Sequence, residues 1–312
     1  VIRPDLGTVA FEALMDAENQ GFIGLSLLPV FPTAKQSGQY PIIPLEAILK
    51  TKDTTRAARS RYNRDDYNFE MGNYACKDRG HEEPLDDTER DMYAALFDAE
   101  EVAVKRAVNR VLRAQEMRIA AMLFNSSNLT VGNVSTEWST AATATPYDDI
   151  LAAKEAMRGI GGLLPSKIGM SWKVFNNLLK TKELKDALRY TSPIEMGGFV
   201  AQKRAVAQYF GVSEVLVAAG VKDTSGKGKA TVISDLWDDE YVILAATGIE
   251  SMDLREPCLG RTFLWTEDSP EMTVVESYRE EQSRSEIYRV RHNVDEAFVF
   301  KGAGYLLGNI TA

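Results

Sequence analysis

The sequence predicts an α+β fold in which helices precede strands, and three observations lead there. From Leu85 to Val131 the chain contains neither Gly nor Pro, and apolar residues recur at helical spacing. Up to Phe210 that periodicity dominates, whereas from Val212 onward short β-rich runs take over. About eighty residues precede the first strong helix without an obvious core of their own, and so long an irregular segment in a compact domain is usually functional.

Taken in order, residues 1–30 mix apolar and polar positions with Gly7, Gly21, Gly24 and Pro29, as expected of an arm laid over other surfaces. In 31–83, Pro32, Pro41 and Pro44 interrupt any helix, and the alternation from Tyr62 to Glu70 fits a two-stranded ribbon. A single helix is expected from Thr88 to Phe124, roughly 55 Å long at ~1.5 Å per residue. Asp86, Asp87 and Thr88 can cap it, and Glu89 and Asp91 suit its dipole. Tyr93, Phe97, Val104, Val108, Val111, Leu112, Ile119 and Leu123 form its apolar stripe, opposite Arg90, Lys105, Arg106, Asn109, Arg113 and Glu116. The stripe keeps no strict heptad, which argues against a coiled coil.

Beyond it, Thr145-Pro146-Tyr147-Asp148 opens a helix with a capping box and Pro at its first position, and Gly159 to Gly162 ends it. Ile168-Gly169-Met170 reads as a short buried strand, Ser171 as the cap of a helix to Leu179, and Glu183–Tyr190 and Gly198–Phe210 as further helices. Strands are expected at Val215–Val217, Thr231–Ile233, Tyr241–Ala245, Thr273–Glu276, Glu286–Val290 and Ala297–Phe300.

With 45% hydrophobic and 26% charged residues the chain can bury a substantial core in two lobes. No apolar run is long enough to span a bilayer. Cys76 and Cys258 are too few for a disulfide framework, although one bridge between them is formally open. The formal net charge of −9 argues against a general nucleic-acid binder. That average hides an asymmetry: Lys50, Lys52, Arg56, Arg59, Arg61 and Arg64 stand against Asp53 alone, while His81–Glu101 holds nine carboxylates against Arg90. Two such segments can be complementary between copies.

Chemistry-bearing motifs are lacking. Lys222–Lys229 misses the phosphate-loop glycine spacing and has Gly228 where Ser or Thr is needed, so it reads as a surface loop. Gly302–Gly308 misses the dinucleotide spacing and reads as a terminal strand. His81 and His292 belong to no metal or hydrolase pattern, and Asp238-Asp239 fits a turn between strands. No cofactor is expected, although two distant carboxylates could still converge as a glycosidase pair.

This order of parts, with Ser60-Arg61-Tyr62-Asn63-Arg64, Glu82-Glu83-Pro84-Leu85-Asp86-Asp87, Asp98-Ala99-Glu100 and Ala303-Gly304-Tyr305-Leu306, resembles the major capsid proteins of tailed bacteriophages, the Hong Kong 97 fold. The resemblance implies an N-terminal arm (1–30), an extended loop (31–83), a peripheral domain (84–145 and 258–291) built on the long spine helix, and an axial domain (146–257 and 292–312). It implies a non-enzymatic subunit that assembles as hexamers and pentamers into an icosahedral head shell around double-stranded DNA, without sequence-specific binding and without a membrane. Scaffolding, portal and decoration proteins would be its other partners, and its place the virion, assembled in the bacterial host cytoplasm.

On this reading the subunit interface comprises Arg56, Arg59, Arg61, Tyr62, Asn63 and Arg64 of the basic segment, Glu82, Glu83, Asp86 and Asp87 of the acidic one, and Arg279, Glu280, Glu281 and Arg284 at a hairpin tip. The basic segment is expected to dock near a neighbour's Glu82–Asp91 region. Two alternatives remain: an encapsulin-like cellular compartment with the same fold, and an α+β enzyme with convergent acids.

Overall fold

The computed structural model describes residues 21–42, 49–51, 53–64, 70–93, 98–189, 198–226, 228–248 and 257–311. Most of the expected arm (1–20), much of the expected ribbon (65–69) and four residues of the expected long helix (94–97) lie outside these residues.

The rod expected from Thr88 to Phe124 is shorter. Helix α1 is Gly24–Leu27, α2 is Asp87–Tyr93, and the spine, α3, is Ala99–Leu123. Asp98 has extended backbone angles (φ −77°, ψ 106°), and its carboxylate accepts from Glu100 N at 2.9 Å and Glu101 N at 3.4 Å. It is therefore an N-cap, satisfying amides that a continuous helix would have bonded internally. At 25 residues, α3 runs about 37 Å at ~1.5 Å per residue.

The spine serves two cores. Its N-terminal half buries Val104, Ala107, Val108, Val111 and Leu112 against Leu85, Val275, Tyr288 and Val290. These four lie on β4 (Lys77–Asp86), β12 (Val274–Glu280) and β13 (Ser285–Phe298). Its C-terminal half gives Ile119, Ala120 and Leu123 to a larger core. There β5 (Thr130–Asn133), β14 (Gly304–Gly308), β10 (Val242–Ala245), β6 (Lys167–Ser171) and β7 (Glu214–Ala218) form one sheet in that order, parallel at β5/β14 and β6/β7 and antiparallel between.

Helices α4 (Pro146–Gly161), α5 (Trp172–Lys180), α6 (Lys182–Leu188) and α7 (Phe199–Phe210) bury apolar side chains in that same core. The expected signals operate here: Pro146 occupies the first turn, Ser171 Oγ accepts from Val174 N, and Gly162 and Gly211 end α4 and α7 in the left-handed region at φ 64° and 60°. Thr145, by contrast, makes no side-chain cap bond, and the Tyr147 amide donates instead to Glu183 Oε2 at 3.5 Å.

Strand β13 fuses what the sequence suggested as two strands, Glu286–Val290 and Ala297–Phe300. Its first half lies between β12 and β4, and its second half pairs with β11 (Gly260–Trp265), which pairs in parallel with β1 (Val30–Thr33). Short β8 (Val221–Asp223) and β9 (Ile233–Asp235) form a separate ribbon, with Asp238-Asp239 in the turn that follows.

The two-stranded ribbon exists but is displaced: β2 (Ser37–Ile42) pairs with β3 (Glu70–Ala75), while Arg61–Arg64 is irregular. Its base is anchored by aromatics. Tyr40 and Tyr74 both stack on the buried Phe263 ring, with centroids 5.2 and 4.5 Å away, and Tyr40 Oη donates to Phe298 O at 2.6 Å. Cys76 and Cys258 join that cluster as free, buried thiols, and burial pushes the Cys76 thiol up to about 11.

One buried carboxylate ties the parts together. Glu116, 3% exposed on the spine, accepts from Ile23 N at 2.8 Å, from Gly24 N at 3.1 and 3.0 Å, and from the Trp237 indole at 2.7 Å. Gly24 is required by close approach, since a Cβ there would stand 2.5 Å from Glu116 Oε2 and 2.8 Å from Ile119 Cδ1. Replacing Glu116 by Ala strands the Ile23, Gly24 and Trp237 donors in the interior, and a loss of about 3 kcal/mol is expected in chemical denaturation. Gly24→Ala should reproduce part of that loss without removing a charge.

Candidate assembly interface

Strand β4 places alternate residues on opposite faces. Towards the spine point His81 and Glu83; Glu83 is bridged by Arg110 at 3.0 Å and Arg106 at 3.6 Å, one helical turn apart on α3. His81 Nε2 lies 2.6 Å from Arg110 Nη1, and because guanidinium only donates, that nitrogen accepts.

On the opposite face, Asp78, Glu82, Asp268, Glu276, Arg289 and Arg291 line an open trough of about 720 Å³. Arg289 bridges Glu82 at 2.7 Å and Glu276 at 3.5 Å, and Arg291 bridges Asp268 at 2.6 Å and Glu276 at 2.9 Å. The hydrogen bonds that Arg291 donates to Glu276 and Asp268 hold its guanidinium above its ordinary pKa.

At the end of β4, Asp86 Oδ1 accepts from Thr88 N at 2.8 Å, which depresses the Asp86 pKa. Asp87 is gripped by both terminal nitrogens of Arg279 at 2.6 Å, and this fork is the main reason its carboxyl lies below the usual range. Asp87 N also donates to Arg284 O at 3.2 Å, with Arg284 in the left-handed region at φ 50°. The acidic segment is thereby latched to the β12–β13 hairpin, whose tip leaves Glu280, Glu281 and Arg284 exposed.

The basic segment lies apart from these acids. Residues 53–64 are exposed at every position. Their shape comes from local contacts: Arg56 lies over the Tyr62 ring at 4.8 Å and donates to Ser60 O, Asn63 Nδ2 donates to Asp53 O at 2.7 Å, and Arg59 takes φ 69°. Among the described residues, Arg56, Arg59, Arg61 and Arg64 form no ion pair.

The structure thus brings together Glu82, Glu83, Asp86, Asp87 and Arg279, and keeps the six residues of the basic segment separate from them. Sequence reasoning missed Arg106, Arg110, Arg289 and Arg291 as partners of the acidic segment. Only the four-residue spacing of Arg106 and Arg110 was a usable signal, because cross-strand register is invisible in a single sequence. Among the described residues no group of His, Cys, Asp and Glu is placed to hold a metal ion, and no helix is long and apolar enough to cross a membrane.

Asp87 yields a pH prediction. Its folded pKa is depressed, so its contribution is present above the ordinary carboxylate value, about pH 4, and is lost as pH falls through the folded value. Protection of the β12–β13 tip amides, taken relative to their intrinsic exchange rates at each pH, should fall on acidification in the native chain, whereas Asp87→Asn should be weakly protected at all pH and respond less to acid.

No known family model matches the chain. A major capsid protein of Burkholderia phage BcepMu is 26% identical over 303 residues, spanning 94% of this chain and 92% of that protein. The crystal structure of a phage-related protein from Bordetella bronchiseptica, 20% identical, superposes with a TM-score of 0.71 over 99% of this chain and 97% of that one. The capsid of cyanophage P-SCSP1u gives 0.57 at 11% identity (90% and 86% covered), and the SrpI encapsulin complex of Synechococcus elongatus gives 0.54 at 13% identity (90% and 85%). From the spine and its two cores to the ribbon, the chain has the α+β fold of phage capsid proteins, in keeping with a tailed-phage major capsid protein.

Proposed function

We propose that the chain is the structural subunit of an icosahedral head shell, assembling as hexamers and pentamers around the double-stranded DNA of a tailed bacteriophage. The observation that carries this reading is the basic segment 53–64, ordered by its own contacts yet exposed at every residue, beyond a ribbon whose base is fixed by the Tyr40, Tyr74 and Phe263 stack. A charged segment exposed at every residue is suited to docking on another copy, where its arginines meet carboxylates that stay accessible to solvent on each chain. Glu82, Glu89, Asp91 and Glu281 are the exposed acids of that kind.

In this assignment residues 1–30 are the arm, 31–83 the extended loop, 84–145 with 258–291 the peripheral domain, and 146–257 with 292–312 the axial domain. The tip residues Arg279, Glu280, Glu281 and Arg284 meet their counterparts where subunits converge. The role is structural, not enzymatic. Scaffolding, portal and decoration proteins complete the partners, with assembly in the host cytoplasm and residence in the virion. The similarity to a curated major capsid protein over nearly the whole chain favours a phage shell over a cellular compartment, although an encapsulin shares the fold.

Expression of the chain, alone and with its neighbouring genes, followed by sedimentation and electron microscopy, tests the reading. Hollow icosahedral particles or hexamer and pentamer rings are expected, and packaged DNA as against enclosed enzyme separates phage from compartment. A persistent compact monomer under both conditions contradicts it. The double substitution Arg61→Glu, Arg64→Glu should abolish or weaken shells while changing monomer stability by no more than about 0.5 kcal/mol, as expected of exposed positions.

A further inference from the structure

Between the spine and the strands beneath it lies a cavity of about 140 Å³ whose lining includes Arg79, His81, Arg110, Ala114, Arg118 and His292, and no carboxylate. Arg79 and His292 face each other across the β4/β13 pairing. Arg110, Ala114 and Arg118 follow at one-turn intervals along α3, and the small Ala114 side chain leaves room between two long ones.

The site is rich in donors and poor in acceptors. Arg110 and Arg118 each bridge one acid outside the lining, Glu83 at 3.0 Å and Glu296 at 2.8 Å, which leaves further N–H groups on each guanidinium. Arg79 Nε is buried without a protein partner, with Asp295 the nearby acid that its charge affects. His292 is fully buried, and its ring nitrogens find no well-formed hydrogen bond, the Met272 backbone lying near them. Burial, followed by the charges of Arg118 and Arg79, lowers its pKa to about 3 against a small opposing effect of the Met272 backbone, so the imidazole is neutral.

Buried unpaired donors are costly, and here three guanidinium groups meet at one cavity with their acids outside its lining. What the cavity lacks is a compact group offering several acceptors and negative charge. We propose that this cavity is a binding site for a small tetrahedral oxyanion of the phosphate and sulfate class. Such an anion would accept from Arg79 and share the free donors of Arg110 and Arg118, joining the spine to β4 and β13.

Thermal unfolding of the full chain in sodium phosphate, against sodium chloride at matched pH and ionic strength, tests the site. A saturable rise in Tm with phosphate is expected for the native chain. Arg79→Gln should weaken the apparent affinity by about tenfold or more. Ala114→Leu, which fills the space with a good helix former and removes no charge, should abolish the response. A native response no greater than that to chloride overturns the proposal, as does an unchanged phosphate response in either variant. Stabilisation by a short DNA duplex without stabilisation by free phosphate also overturns it.

Discussion

Glu116 is the constraint on which the arrangement depends. It sits where the spine passes from the core shared with β4, β12 and β13 to the core of the five-stranded sheet, and it binds amides ninety-two and ninety-three residues earlier in the chain and an indole 121 residues later. The amides belong to the start of α1, where a helix has no internal acceptors to offer, and a buried acceptor there replaces water. An apolar residue of the same size would fill the space and leave those donors unpaired. The cost is visible in the Glu116 pKa, which burial raises against the opposing bonds from Ile23, Trp237 and Gly24. Its ionisation therefore takes stability away as pH rises from the ordinary carboxylate range through the raised value, the opposite sign to Asp87.

With the spine fixed in this way, the strands beneath it have a defined register, and that register decides which surface charges remain free. Glu83 and Asp87 are consumed by Arg106, Arg110 and Arg279 within the same chain. Glu82, though paired with Arg289, keeps nearly half its side-chain surface in solvent. Burial separates their roles: the Glu83 side chain is 10% exposed and steadies the spine against β4, whereas pairs at the surface are screened and contribute little to stability. What such exposed charges can supply is orientation when copies meet.

Much of the fold was legible in the sequence because its signals are local. Ser171 and Asp98 show where local reading succeeds and where it fails. Ser171 stands just before an amphipathic run and caps it as expected. Asp98 has the same chemistry, with Glu101 three residues on, but it lies inside an unbroken helical pattern, and the pattern outweighed the cap. Strands β4 and β11 were missed for a different reason. Lys77–Asp86 is highly charged and contains Gly80 and Pro84, and only ten-residue pairing with β13 makes it a strand. The site divides the same way: charge clustering marked the acidic and basic segments, but the arginines that neutralise the acids come from elements up to about two hundred residues away.

In the proposed shell, Glu116 locks the core within each subunit, and the exposed basic segment would be buried against another copy. Hydrogen exchange compared between isolated subunits and assembled particles tests both at once. The Ile23 and Gly24 amides should be strongly protected in the isolated subunit and remain so, while residues 53–64 should exchange freely before assembly and become protected after it. Free exchange at Ile23 and Gly24 in the subunit, or no gain of protection at 53–64 in particles, would contradict the account.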